Sequence, residues 1–244
     1  MLAHEQTIFD EQHILTAVWD ACRVLVRPGI EHLAQRLSKA ADWDELILPP
    51  PLLGQLHEIE AQVRNRLLVH HDWAFGGKTG RGKGNAVMFS GPSGTGKTLA
   101  AEALATRLRM DLFRVDLGAT VSKYIGETEK NLARIFDAAE RGGSILLFDE
   151  ADALFGKRSE VKESKDRYAN IEVSYLLQRL ESFTGLIILT TNLRDSIDQA
   201  FMRRLRNVVE FPFPSSTFRE QIWRRTLIGK VPLGDINFEK LARL

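Results

Sequence analysis

Gly91-Pro92-Ser93-Gly94-Thr95-Gly96-Lys97-Thr98 is the stretch on which the reading of this chain turns. Its spacing is G-x-x-x-x-G-K-[ST], the Walker A pattern, which carries meaning only between a strand and a helix. Ala86-Val87-Met88-Phe89, just before it, is an apolar run of strand length. Leu99-Ala100-Ala101-Glu102-Ala103-Leu104-Ala105, just after it, is rich in strong helix formers. Both flanks agree, which sets aside a glycine-rich turn with a chance lysine. Glycines let backbone N–H groups turn toward a phosphate with no Cβ in the way. The helix that begins at the loop adds its positive dipole end. Lys97 can reach β- and γ-phosphates, and the Thr98 hydroxyl can ligate Mg²⁺.

A second stretch strengthens the first. Ser144-Ile145-Leu146-Leu147-Phe148-Asp149-Glu150 is an apolar strand ending in two carboxylates. Alone it is a strand with an acidic turn. Following a sound Walker A by roughly fifty residues, it is a Walker B. Asp149 can hold Mg²⁺, directly or through water. Glu150 can orient and deprotonate an attacking water. Leu186-Ile187-Ile188-Leu189-Thr190-Thr191-Asn192 is a further buried-type strand that ends in an amide. Such an Asn can place a water or bond a γ-phosphate; in isolation it would read as a turn former.

The whole chain sets the bounds. Its 244 residues allow one large or two modest domains. Hydrophobic residues at 44% and charged residues at 27% are ordinary for a soluble globular protein. A net charge of +1 gives no global field toward nucleic acid or a membrane. One cysteine, Cys22, excludes an internal disulfide framework and suits a reducing compartment. No apolar run approaches a membrane span, and the start lacks the pattern of a signal peptide, so the expected location is the cytoplasm.

Residues 1–42 are expected to be helical. Ile8, Ile14, Leu15, Val18, Cys22, Leu25 and Val26 recur at helical spacing, and Ile30, Leu33, Ala34 and Leu37 resume it after Pro28-Gly29. Packing on the main domain is the plainer expectation, with Cys22 in the core; a docking element is the other. Pro49-Pro50-Pro51 is expected to end regular structure and stiffen a link. A helix near Leu52 to Leu68 follows, with Leu53, Leu56, Ile59, Val63 and Leu67 on one face. Adjacent His70 and His71 do not face the same way, so no metal site is expected there. Gly76 to Gly84 reads as a solvated basic loop. Leu112 to Val115 reads as a strand, and a helix carrying Leu132, Ile135, Phe136 and Ala139 follows it. Between them Tyr124 either packs or projects as a hook. Ala169 to Ser182 reads as an amphipathic helix and Val208 to Phe211 as a last strand. A helix from Ser215 has a plausible N-cap. The pattern after Ile236 stops without a cap, as in a chain cut within a helical unit.

Taken together, residues 43–244 resemble the AAA+ ATPases, and within them the AAA type of katanin and spastin. The likeness rests on residues 91–98, Ser122 to Lys130, Phe148-Asp149-Glu150, Thr190-Thr191-Asn192 and Arg203-Arg204, in that order. It implies an α/β P-loop NTPase fold: a parallel central sheet with helices on both faces, N-terminal helices, and the beginning of a helical lid. The implied domains are an N-terminal helical segment at 1–42, the large nucleotide-binding domain at 43–214, and a truncated lid at 215–244. The implied cofactors are ATP and Mg²⁺. Pro92, Ser93, Gly94, Thr95, Gly96, Lys97, Thr98 and Leu99 would hold the nucleotide, with Leu46, Ile47 and Leu48 against adenine. Thr98 and Asp149 would hold the metal.

Asn192 looks like sensor 1, which reads the γ-phosphate. Lys123, Tyr124 and Ile125 look like a pore loop gripping a polypeptide client, and 156–167 like a second one. Arg204 looks like an arginine finger acting on the neighbouring subunit, which implies a homo-oligomeric ring, usually a hexamer. Asn207 stands where many members carry a second arginine, leaving Arg203 or Arg206 as substitutes. Glu181 sits where the family often carries a signalling aspartate. Residues 122–130, 148–158 and 170–177 are similar to bacterial AAA ATPases encoded with phage-tail-like contractile injection systems. Catalysis would fall to Glu150, Asn192, Arg204 and Lys97. Two other functions stand against a protein remodeller. One is a nucleic-acid motor or loader, disfavoured by the charge balance and the aromatic pore loop. The other is a nucleotide-gated scaffold, disfavoured by the complete set Lys97, Asp149, Glu150 and Asn192.

Overall fold

Short apolar runs with two buried faces can only sit in the middle of a layered sheet. That is where this chain places them. The structure, a computed structural model, describes residues 2–26, 28–38, 41–73, 84–116, 127–151, 174–192, 199–227 and 236–243. The strands are β1 (Gln35–Leu37), β2 (Asn85–Ser90), β3 (Leu112–Val115), β4 (Ile145–Phe148), β5 (Leu186–Thr191) and β6 (Asn207–Glu210). They form one sheet in the order β1-β3-β4-β5-β2-β6. All neighbours run parallel except β1, which pairs antiparallel with β3. Every residue of β2, β4 and β5 is buried.

Alternate residues of each strand feed two cores. Met88, Phe148 and Leu189 point to a layer with Leu132, Ile135, Phe136 and Leu180. Phe89, Leu147 and Ile188 point to a layer with Leu56, Ile59, Ala101 and Leu104. The first layer is built by α5 (Glu127–Gly142) and the helical residues 174–182 (α6); the second by α3 (Pro50–Arg64) and α4 (Lys97–Leu108). Phe89, Phe113, Phe136, Phe148 and Phe183 are fully buried. Truncating such a ring costs about 3–5 kcal/mol, so these five fix the sheet that carries the site. Two short helices, α7 (Gln199–Met202) and α9 (Phe238–Arg243), and the longer α8 (Ser216–Leu227) complete the C-terminal part. The Ser215 hydroxyl caps α8 by accepting from the Phe218 amide at 3.4 Å.

Several expectations are corrected. The prolines at 50 and 51 do not form a stiff link; they are the first turn of α3, where a missing N–H costs nothing. That helix ends at Arg64, and Leu67 is exposed. After α1 (Leu2–Val26) and the four residues of α2 (Pro28–Glu31), the chain does not resume a long helix. It becomes β1, so the N-terminal segment extends the sheet. Cys22 is exposed, not core. The reason is visible in how α1 docks. Its Trp19 indole donates to the Arg109 carbonyl at 3.0 Å. Arg23 donates to the same carbonyl at 2.7 Å and to Asp111 Oδ1 at 2.9 Å. Arg109 reaches back to Asp20 at 2.8 Å. Between Thr16 and Arg23 the helix is held by its polar side, while Leu15, Val18 and Leu25 are exposed. Among the described residues no helix is long and apolar enough to cross a membrane.

Candidate nucleotide site

The site lies at the C-terminal ends of β2, β4 and β5, the place where open parallel sheets bind ligands. After β2 the chain turns sharply through Gly91 (φ +142°), Gly94 (φ +79°) and Gly96 (φ +95°). The three glycines have different reasons. A Cβ on Gly91 would stand 2.1 Å from the Phe211 carbonyl oxygen, so this glycine lets the loop pass the chain leaving β6. A Cβ on Gly94 or Gly96 would meet only open space. There the positive φ turns backbone N–H groups outward, and the absent side chains leave room for a phosphate. Gly91→Ala is expected to lower stability by about 3 kcal/mol or more, from backbone strain plus the clash. Gly94→Ala, with space around it, should lose less stability and more nucleotide affinity. Thermal unfolding and titration with a fluorescent ATP analogue, run on both variants, check the contrast.

Lys97 opens α4 and is nearly buried. Its ammonium donates to the Gly91 carbonyl at 2.6 Å, the Pro92 carbonyl at 2.8 Å and Asn192 Oδ1 at 2.9 Å. A lysine has three donors, and these contacts hold its charge under the loop. Asn192, one residue past β5, is thereby joined to the Walker A lysine by a direct bond.

Thr190, near the end of β5, stood in the sequence reading only as part of the Thr190-Thr191-Asn192 motif, with no role of its own. Its hydroxyl donates to Asp149 Oδ1 at 2.5 Å and accepts the Glu150 backbone N–H at 3.2 Å. Its carbonyl accepts the Ala151 amide at 2.8 Å. Glu150 has φ +53°, an uncommon conformation for a residue other than glycine. Thr190 clasps the chain through that turn. Asp149 and Glu150 therefore leave β4 in fixed directions, and Arg114 Nη1 lies 3.9 Å from Asp149 Oδ2.

Ser93, Gly94, Gly96, Lys97, Thr98, Leu99, Asp149, Glu150 and Asn192 line one cavity of about 330 Å³. It adjoins a larger, mainly apolar one of about 660 Å³, and the two share Gly94, Gly96 and Leu99. Leu46, Ile47 and Leu48 line the larger cavity together with Thr95 and, from the far side, Pro212, Phe213, Phe218, Ile222 and Arg225. The sequence marked Phe218 and Ile222 as one face of a helix but did not bring them to this cavity, whose far wall is assembled from α8 and the turn before it. One end of the trough is charged and rich in donors, and the other is apolar, as a phosphate chain and a base require. Thr98 and Asp149 supply hard oxygen donors in the charged end, a set that fits Mg²⁺ completed by water and phosphate oxygens. Among the described residues no three His, Cys, Asp or Glu side chains cluster as a separate metal site.

Arg204 is not in either cavity. Its Nε donates to Glu181 Oε1 at 2.5 Å on the surface. Arg206 is tied to the sheet, through Asn85 Oδ1 at 2.7 Å and the Ala86 carbonyl at 2.8 Å. Asn207 reaches Gln62 at 3.5 Å. Lys123, Tyr124, Ile125 and residues 156–167 lie outside the described residues.

Fold and site together define a P-loop nucleotide-binding protein. The family model described as "ATPase family associated with various cellular activities (AAA)" matches residues 87–213, and the chain belongs to that family. It is 30% identical over 200 residues to 26S proteasome regulatory subunit 10B of Dictyostelium discoideum, covering 79% of this chain and 50% of the relative. It is 33% identical over 197 residues to a proteasome-activating nucleotidase of Archaeoglobus fulgidus, covering 78% and 49%. With 26S proteasome regulatory subunit 10B homolog A of Arabidopsis thaliana it shares 34% over 165 residues, covering 65% and 41%. The chain thus spans half or less of the length of these relatives. They carry the AAA family, but not the narrower likeness to katanin, spastin or the injection-system ATPases.

Proposed function

We propose that this chain is an ATP-hydrolysing motor subunit that works in a homo-oligomeric ring, a hexamer by family likeness, and remodels protein clients. The observation that carries it is the meeting of Lys97, Thr98, Asp149, Glu150 and Asn192 in one cavity beside an apolar base site. In this reading Lys97 and the loop amides hold the β- and γ-phosphates. Thr98 and Asp149 hold Mg²⁺, which supplies charge neutralisation on the phosphate oxygens. Glu150 takes the proton of the attacking water, and Asn192 aligns that water. Leu46 and Ile47 lie against adenine. Arg204 reaches the site of the next subunit. Lys123, Tyr124 and Ile125 grip the polypeptide as the ring cycles. Residues 1–42, 43–214 and 215–244 act as N-terminal segment, motor domain and beginning of a lid. The relatives' names, a proteasome regulatory subunit and a proteasome-activating nucleotidase, support a protein client. The likeness of 148–158 and 170–177 to injection-system ATPases makes assembly of a contractile particle, in the cytoplasm, the finer form of the same proposal.

The test is steady-state ATP turnover with Mg²⁺ against protein concentration, with and without casein as an unfolded polypeptide. Specific activity should rise with concentration, and casein should stimulate it. Tyr124→Ala should keep basal turnover within a few-fold and lose the stimulation. Stimulation by single-stranded DNA instead of casein would replace the protein client with nucleic acid. A flat, near-zero rate at all concentrations would leave a nucleotide-gated scaffold.

A further inference from the structure

Asp149 is approached at both of its carboxylate oxygens. The Thr190 hydroxyl donates to Oδ1 at 2.5 Å, and Arg114 Nη1 lies 3.9 Å from Oδ2. The register of the sheet brings the three residues together. Phe148 of β4 stands opposite Leu189 of β5, so the next residues, Asp149 and Thr190, are neighbours. On the other flank Arg114 of β3 stands opposite Leu147, one strand period before Asp149.

The two contacts differ in kind. Thr190 is buried and its bond is short, so the hydroxyl orients the carboxylate. The side chains of Arg114 and Asp149 are 44% and 28% exposed, and 3.9 Å is too long for a hydrogen bond. Arg114 therefore supplies charge to Asp149 without fixing its geometry. Nor does Arg114 line the cavity that holds Lys97, Thr98 and Asn192. It lines a separate one of about 470 Å³, together with Glu31 and Asp116.

A carboxylate oxygen that attracts a guanidinium attracts Mg²⁺ as well, and two cations beside one oxygen repel each other. Resting on the reading of Asp149 as a metal ligand, we propose that Arg114 competes with Mg²⁺ for Asp149 Oδ2. It thereby sets the Mg²⁺ concentration at which the nucleotide is held. Arg114 neutralises Asp149 when no metal is bound. It gives way when the ion binds, and the carboxylates of Glu31 and Asp116 offer its guanidinium another place. Thr190 keeps Oδ1 engaged in both states, which leaves Oδ2 as the contested oxygen. Arg114 is in this sense a positioning residue, acting on the site only through Asp149.

The test is equilibrium binding of a fluorescent ATP analogue, measured in EDTA and across a Mg²⁺ titration. Arg114→Ala should lower the half-saturating Mg²⁺ about fivefold, the range open to a partly exposed ion pair. Arg114→Lys, which restores the charge, should return it toward the parental value. Melting temperatures close to that of the parent would show that both variants are folded. An unchanged or higher half-saturating Mg²⁺ in Arg114→Ala would overturn the competition. Weaker binding by Arg114→Ala in EDTA and in Mg²⁺ alike would also overturn it, and would make Arg114 a phosphate ligand. Asp149→Asn separates this failure from that of the underlying reading. If Asp149→Asn keeps the parental Mg²⁺ dependence, Asp149 is not the metal ligand and the competition falls with it. If Asp149→Asn loses that dependence while Arg114→Ala keeps the parental midpoint, the metal site stands and only the role of Arg114 is overturned.

Discussion

Glu150→Gln is expected to cut ATP turnover by roughly 10²- to 10⁴-fold, the usual contribution of a positioned general base, while ATP binding persists. The geometry argues for both halves. Glu150 lines the charged cavity with Lys97 and Asn192 but makes none of the bonds that shape the loop. Its backbone is held at φ +53° by the Thr190 hydroxyl, a contact that does not involve the side chain. The carboxylate is exposed, so replacing it by an amide of the same shape has little cost for folding. What is lost is the capacity to accept a proton from water. Phosphate release under saturating Mg·ATP measures the first half, and equilibrium titration with a fluorescent ATP analogue the second. Turnover within a few-fold of the parent would move the base to another group. Loss of binding would make Glu150 a structural support of the loop.

The residues of that cavity were legible because each belongs to a local pattern. Walker A is contiguous, and its loop needs glycine at positions where the backbone has positive φ. Asp149 and Asn192 each follow an apolar run whose strand character comes from the run itself. Thr190 was illegible for the opposite reason. Nothing in Leu-Thr-Thr-Asn distinguishes the threonine that bonds Asp149 from its neighbour until β4 and β5 lie side by side. β1 was missed because Gln35-Arg36-Leu37 has no alternation of its own; pairing with β3 makes it a strand. The stripe on α1 was recognised, but the plainer expectation, that it packs on the main domain with Cys22 in the core, did not hold. Periodicity says that a face is apolar, not what covers it. The polar clasp of Arg23 and Asp20 on Arg109 and Asp111 decided the orientation, and those contacts join residues nearly ninety positions apart.

Arg204→Ala is expected to lower turnover by about 10³-fold or more, the range seen when a finger arginine is absent, with the melting temperature almost unchanged. Magnitude separates this from a structural role. The Arg204 and Glu181 side chains are 34% and 55% exposed. Surface pairs of this kind contribute about 0–1 kcal/mol, so breaking this one cannot unfold the domain. A purely structural arginine would therefore shift activity by no more than a few-fold. Its place on the surface, outside both cavities, suits an arginine that would reach a neighbour's γ-phosphate. Arg206 is the poorer candidate for a finger, since its guanidinium donates to Asn85 Oδ1 at 2.7 Å beside the sheet. Mixing gives the decisive measurement. Subunits with Lys97→Ala have a disabled site but an intact Arg204, whereas subunits with Arg204→Ala have an intact site but no finger. Each alone should be nearly inactive, and an equimolar mixture should recover a substantial fraction of parental turnover, because one subunit's arginine completes the other's site. A mixture as inactive as its components would mean that Arg204 does not act across subunits, and a fully active Arg204→Ala protein would remove it from catalysis altogether.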